Sequence, residues 1–381
     1  MSQPPGSPSS PPGDPTGAEP GAPPAAGPDA VAVAARWEAM EDAVDRALLA
    51  PSVHNTQPWL LVLHPEGIEV RADRTRQLTA LDPLGRELVM SLGAAVFDLR
   101  IALAARDFAV EVDRSPRRAD PDLLAVVRPV PGPADTALGD LEPLIDRRRA
   151  SRRGRTCGPL PGDVLARLTE VSARADVELV PVRRAHHRRL VARLADEAGR
   201  ILHDDPVVRA EVRHWTTRSR PADDGVLTAA VAHDSGRPLP CDPVTGPGQT
   251  IVLLTTTSDD PQAWLRVGEA LEHVLLELTA RGWVASPVPQ ALEIPLTRMQ
   301  LRSALAWAAH PQLLLLIGHA EPTAPASRRR REDVVRNSNR PAAPPTGPPP
   351  CPPSPPPPRH RLLEPVHSHP VSDGRGGTTW L

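Results

Sequence analysis

Prolines decide how much of this chain can fold. Of 50, ten lie in residues 1–28 and fourteen in residues 336–381, so nearly half crowd into the two ends. Proline fixes its own φ, lacks an N–H and biases the residue before it away from helix. Segments so composed bury too little apolar surface to offset chain entropy. The sequence therefore predicts disordered Pro-rich tails at 1–28 and 336–381, around a folded part from about Asp29 to Val335. The PPSPPPP run, Pro352 to Pro358, has the composition of a polyproline II ligand but reads first as a solvated tail.

Within the folded part, amphipathic segments alternate with short apolar runs, the pattern of a mixed α and β domain. Helices are predicted over Ala32–Ala50, Gly85–Arg106, Gly139–Ala150, Pro161–Ala173, Arg184–His203 and Pro261–Arg281. Strands are predicted over Phe108–Val112, Leu123–Val127, Val177–Val182, Ile251–Thr257 and Leu313–Ile317. Trp59–Leu63 and Gly67–Ala72 form a hairpin turning at His64–Gly67. Both halves run helix, strand, long helix rich in small residues, strand. An N-terminal half at 29–135 and a C-terminal half at 136–335 follow. Residues 215–248 are polar and rich in Pro and Gly, too long for a passive connector, and are the candidate for a lid.

Net charge is −2 and hydrophobic residues make up 40%, which argues against nucleic acid as a partner. All 44 basic residues are Arg and Tyr is absent, so any phosphate must be held by guanidinium groups, backbone amides or helix ends. The three cysteines, Cys157, Cys241 and Cys351, are scattered without metal-ligand spacing and fit a reducing cytoplasm. No apolar run is long enough to span a membrane and the N-terminus lacks a signal-peptide pattern, so a cytoplasmic protein is expected.

Three polar clusters stand out. APSVHNTQPW, Ala50–Trp59, joins a helix end to a strand start, a connection that presents polar groups with little freedom to lose. RRRASRR, Arg147–Arg153, puts guanidinium forks beside a hydroxyl, donors suited to a phosphate monoester. SRRRR, Ser327–Arg331, follows the last strand. Taken singly, either Arg run reads as a solvated face. No ligand partner lies near His54 in sequence and no metal site is expected; His186–His187 and His367–His369 are assigned to a solvated helix and a tail.

PSVHNTQPW resembles the PSxxNxQPW signature of the nitroreductase family of FMN flavoproteins, and RR-x-S-x-R resembles that family's phosphate-binding arginine motif. Ordinary members carry both motifs in each subunit of a homodimer, the arginine motif first, with the flavin at the dimer interface. Here the order is inverted and each motif occurs once. That arrangement is similar to the fused, pseudo-dimeric Acg-type subfamily associated with dormancy and stress. DPLGRELVMSLGAAVFDLRIAL (82–103), His214–Trp215, WLRVGEALEHVLLELTARGW (264–283) and PQLLLLIGHA (311–320) carry the likeness further.

The resemblance implies an α+β, nitroreductase-like fold: two degenerate halves fused as an intramolecular pseudo-dimer, with mixed, largely antiparallel sheets packed with helices. It implies one composite FMN site. Arg148, Arg149, Ser151 and Arg153 would bind the phosphate, and Arg329 or Arg330 would close over it. Ser52, Asn55 and Gln57 would approach the ring and ribityl chain, Pro51 and His54 would shape that loop, and Gln290–Glu293 would bring backbone to the ring's reactive edge. The flavin would carry the chemistry, so no catalytic side chain is assigned. NAD(P)H is the expected hydride donor and a nitroaromatic or quinone-like molecule the expected acceptor. The alternative is a catalytically silent protein that sequesters FMN or senses redox state beneath a lid. The chain would be a monomer with an internal pseudo-dimer, or a homodimer.

Overall fold

The computed structural model describes residues 28–115, 117, 119–148, 158–216, 250–306, 308–319, 326–338, 370–372 and 378–380. Residues 27–342 make one unit, and residues 1–26 with 343–381 make the other.

In the larger unit, α1 (Pro28–Ala47) leads through a polar loop to β1 (Trp59–His64) and β2 (Gly67–Ala72). Then come α2 (Arg86–Ala104), β3 (Ala109–Arg114) and β4 (Leu123–Val130), and two short helices, α3 (Thr136–Gly139) and α4 (Glu142–Ile145). A second series follows: α5 (Gly162–Ala173), β5 (Glu178–Pro181), α6 (Ala185–Asp204), α7 (Pro206–Thr216), β6 (Thr250–Thr256) and α8 (Pro261–Ala280). It closes with β7 (Val284–Pro287), α9 (Gln290–Glu293), α10 (Pro295–Leu305) and β8 (His310–Gly318), after which come α11 (Arg331–Val334) and β9 (Val335–Asn337).

The two series build one topology twice. The first sheet runs β3-β4-β2-β1 and the second β7-β8-β6-β5, antiparallel at every step. Each copy reads helix, strand, strand, long helix, strand, strand. The second copy also carries α6 and α7 between β5 and β6, and α9 and α10 between β7 and β8. β9 returns to the first sheet and lies parallel to β1, with Leu61 opposite Val335 and Leu63 opposite Asn337.

Sequence chemistry explains the parts. β1 alternates, with Trp59, Leu61 and Leu63 inward. β6 and β8 are almost unbroken apolar runs and are buried nearly throughout, as strands covered on both faces must be. In α8, Asp260 accepts from Ala263 N at the start (2.9 Å), and Gly282 stops the helix in the left-handed region (φ 74°). There Trp283 N reaches Leu278 O and Gly282 N reaches Thr279 O, satisfying the last carbonyls.

α2 and α8 are the long helices of the two copies and cross at glycine. A Cβ on Gly93 would lie 2.0 Å from Leu265 O, and one on Gly268 would lie 1.9 Å from Met90 O. The two backbones touch, so the copies share one apolar core that includes Leu92, Val96, Leu99, Leu265, Val274 and Leu275.

Several predicted bounds shift. The helix expected over 139–150 is instead two four-residue helices. Pro143 has no N–H to donate to a continuing helix and stands in the first turn of α4, so the segment breaks after α3 and restarts there. α7, β7, α9, α10 and β9 were not anticipated. The tail at 1–28 falls outside the described residues except for Pro28, where α1 begins. In the segment read as the other tail, β9 runs on to Asn337, and β10 (Pro370–Ser372) pairs antiparallel with β11 (Thr378–Trp380). Val371, Thr378 and Thr379 are the β-branched residues that favour such a ladder. Most of the lid candidate, residues 217–248, also lies outside the described residues.

Candidate functional site

The loop between α1 and β1 is built by its own side chains. Ser52 Oγ accepts from Gln57 N (3.0 Å), and Thr56 Oγ1 donates to Val53 O (2.9 Å). Val53 N donates to Ser91 Oγ on α2 (3.1 Å), pinning the loop to the central helix. His54, Asn55 and Gln57 sit in the left-handed region, at φ 44°, 53° and 49°. Each costs on the order of 1 kcal/mol without glycine's freedom, and such strain persists only where surrounding bonds hold it.

Those bonds come from the segment after β8. Asn55 Nδ2 donates to Ser327 O (3.0 Å) and Arg328 donates to Asn55 Oδ1 (3.1 Å). Gln57 Oε1 accepts from Arg329 N (2.7 Å), and Arg329 Nη1 donates to Gln57 O (2.9 Å). Arg148, from the other polar cluster, donates to Leu49 O (2.6 Å), and Arg328 donates to the same carbonyl (2.8 Å). The Leu49 oxygen is thus where the three clusters meet.

Of the residues singled out in the sequence, Ser52, Asn55, Gln57, Arg148 and Arg329 come together at this seam. Pro51 and His54 lie half-buried in the same loop. Arg330 does not join them: its exposed guanidinium pairs with Glu332 (2.8 Å) and Asp333 (3.2 Å). Arg329 is turned toward the first sheet, donating to Trp59 O (3.4 Å) and lying 3.3 Å from Asp73. Arg149, Ser151 and Arg153 fall outside the described residues. Arg328, Ser91 and Ser327 were not anticipated. Nor was Glu272, whose Oε1 lies 2.7 Å from Arg148 Nε in the interior.

The second copy's insertion reaches this loop. Glu211 of α7 accepts from Ala80 N (3.2 Å) and Leu81 N (3.0 Å). Val208 and Val212 pack in a cluster with Leu78, Leu81, Val53 and Trp215, and Arg76 stacks over the Trp215 ring at 4.8 Å. α9 is tied to the same central helix as the loop, since Arg86 of α2 donates to Leu292 O (3.4 Å). Gln290, at the start of α9, is buried, and its Oε1 has no hydrogen-bond partner among the described residues.

A cavity of about 310 Å³ opens beside Leu81, Arg86, Leu292, Arg298 and Met299. Its arginines already have partners: Arg298 grips Asp259 through two bonds (2.8 and 2.9 Å), and Arg86 holds the carbonyls of Leu292 and Gln312. Among the described residues, no three His, Cys, Asp or Glu side chains are grouped to hold a metal ion, and no helix is long and apolar enough to cross a membrane.

No family model matches the chain. Its sequence relatives are more informative. Rv3131 of Mycobacterium tuberculosis, provisionally named an NAD(P)H nitroreductase, is 34% identical over 312 residues, covering 76% of this chain and 89% of that protein. Acg of the same organism, named in the same way, is 28% identical over 297 residues, with 74% and 89% covered. Among solved structures, a Bacteroides fragilis nitroreductase with bound FMN covers 50% of this chain and 94% of its own, at 16% identity and a TM-score of 0.33. That likeness is too loose to carry an argument, and the assignment rests on the sequence relatives. The chain belongs to the nitroreductase family. Within it, the chain stands with the Acg-type proteins, and its doubled topology is a pseudo-dimer contained in one polypeptide.

Proposed function

We propose that this chain is an FMN-binding oxidoreductase that takes reducing equivalents from NAD(P)H and passes them to a nitroaromatic or quinone-like acceptor. The observation that carries the reading is the meeting on Leu49 O, two residues before the PSVHNTQPW loop, of Arg148 from the segment between the copies and Arg328 of the arm at 327–329. It occurs once among the described residues, because the loop between α5 and β5 is a short turn with no second signature. The donor set fits a flavin mononucleotide. Guanidinium groups suit the phosphate, and Gln290 Oε1, buried without a hydrogen-bond partner among the described residues, suits a polar ring edge.

FMN bound there would supply two-electron transfer between NAD(P)H and the acceptor. The protein's part is to hold and orient it. With Arg148 facing Glu272 and Arg329 facing Asp73, the phosphate falls to Arg149, Ser151 and Arg153 of the arginine motif. Ser52, Asn55 and Gln57 set the loop against the ring and ribityl chain, while Pro51 and His54 fix its bend.

The test is direct. The purified full chain should be yellow and release close to one FMN per chain on denaturation. A colourless protein that also refuses added FMN would reject the reading. Ser151→Ala and Arg149→Ala should each weaken FMN binding by about tenfold, since each removes a charge-assisted phosphate partner; unchanged affinity in both would move the phosphate elsewhere.

A second reading has its own support. α7 packs against the loop's Val53 and the Ala80–Leu81 backbone, and the arm at 327–329 occupies the Asn55 and Gln57 amides. A site so covered suits a protein that keeps FMN from turnover. Mixing the flavin-loaded protein with NADH or NADPH without oxygen separates the two: rapid bleaching supports the reductase, and a lasting oxidised spectrum supports sequestration.

A further inference from the structure

The crossing of α2 and α8 buries two carboxyl groups, and the oxidoreductase chemistry uses neither. Asp98 of α2 and Glu272 of α8 are fully inaccessible to solvent, each carboxyl acts on the other, and neither Asp98 oxygen finds a hydrogen-bond donor among the described residues. Three arginines from different elements face them. Arg148 Nε is 2.7 Å from Glu272 Oε1, Arg328 of the arm bears on Glu272, and Arg46 of α1 bears on Asp98. Arg46 is shared with Glu142 (2.6 Å) and Asp146 (2.7 Å), so its charge is largely matched elsewhere. His273 adds no cation: its ring stacks on Phe97 at 4.7 Å, and burial holds it neutral with a pKa of about 4.

Two adjacent carboxylates cut off from water cannot both stay ionised. One proton between them removes the repulsion and turns an unsatisfiable pair into a hydrogen bond with one net negative charge. The charge belongs on Glu272, which faces Arg148. The proton belongs on Asp98, whose carboxyl burial pushes up and the Glu272 charge pushes further. Arg148 then has one counter-charge inside and donates outward to Leu49 O, where the loop begins.

We propose that Asp98 and Glu272 share one proton, and that this singly charged pair anchors Arg148 and, through Leu49 O, sets the start of the flavin loop. Both are positioning residues of the site. Arg148 is the pin between interior and loop, and the phosphate is left to the rest of its motif. The link to cofactor binding rests on the flavin reading above; the protonation state does not.

The test uses the full chain with Asp98→Asn and Glu272→Gln. The wild type should show the infrared carbonyl band of a buried carboxylic acid, and Asp98→Asn should lose it. A carboxyl with a raised folded-state pKa contributes stability that is complete below its ordinary range and lost as pH rises through the raised value. As pH rises from the ordinary carboxylate range through the raised value, Asp98→Asn should therefore melt progressively higher than the wild type. Glu272→Gln leaves Arg148 without its counter-charge and should lower Tm by about 10 °C and FMN affinity by about tenfold. If that variant does not fold, Arg148→Met combined with Glu272→Gln removes both charges and should recover Tm while FMN binding stays weak.

An Asp98→Asn protein that keeps the carboxylic band, or melts lower with the wild-type pH slope, would overturn the shared proton. A folded Glu272→Gln protein with unaltered FMN affinity would overturn the positioning role. If the wild type itself takes up no FMN, the flavin reading fails, while the band and the pH slope still decide the proton.

Discussion

At the scale of single residues, the site is a strained loop held by an arm. Asn55 and Gln57 hold left-handed backbone because Ser327, Arg328 and Arg329 bond to their side-chain amides and to Gln57 O, and His54 is left-handed beside them. Gln57→Ala removes the acceptor of Arg329 N (2.7 Å) and should lower stability by about 1–3 kcal/mol, read as a shift in the urea midpoint at constant slope. An unchanged midpoint would mean that the arm does not hold the loop. His273 allows a second prediction. Burial, opposed by Glu277, depresses its pKa from 6.5 to about 4. A depressed folded-state pKa contributes stability that is present above the unfolded value and lost as pH falls through the folded one. Stability should therefore drop between pH 6.5 and about 4, and His273→Phe should flatten that part of a plot of Tm against pH. The polar loop was legible in sequence because its residue types are concentrated. Arg328 was not, because nothing in SRRRR distinguishes one guanidinium from the next; the reach of Asn55 and Leu49 O decides which turns inward. Asp98 and Glu272 did leave a signal, as acids on the apolar faces of VFDLRIAL and ALEHVLLEL.

At the scale of elements, the long helices carry the most consequence. Gly93 and Gly268 let α2 and α8 meet backbone to backbone, and neither can accept a methyl group while the neighbouring carbonyl stays in place. Gly93→Ala must push the helices apart, disturbing the shared core and the spacing of Asp98 from Glu272. A loss on the order of 3 kcal/mol or more is expected, visible as a lowered Tm or failure to accumulate folded protein. A variant melting within about 1 °C of the wild type would show that the crossing tolerates separation. These helices, and β1, β2, β6 and β8, were readable because apolar periodicity or an unbroken apolar run marks each. β9 was not: Val335–Asn337 has no strand pattern of its own and becomes a strand only because β1, far away in sequence, offers an edge. α9 and α10 escaped notice for a related reason, since Pro289 and Pro295 read locally as breakers while each stands at a helix start.

At the scale of the whole molecule, two copies of one topology in a single chain meet along α2 and α8. The doubled order was visible in sequence as a repeated succession of helix and strand. The asymmetry that gives it meaning depends on which segments cross the seam. Among the described residues, three do so at the site: the Arg148 segment, α7, and the arm that carries Ser327–Arg329 before adding β9 to the first sheet. The arm contributes backbone pairing to β1 through Leu61–Leu63 and Val335–Asn337, and its arginines hold the loop, so it ties the last residues of the second copy to the first. Truncation should separate this role from that of the remaining sequence. A chain of residues 27–342 retains the whole larger unit and should keep the full-length Tm within about 2 °C and take up FMN as the full chain does. A chain ending at residue 325 loses Arg328, Arg329 and β9 together, exposes the edge of β1 and releases the strained loop. It should melt lower by about 10 °C or more and bind FMN far more weakly, and equal behaviour of the two truncations would remove the arm from the site.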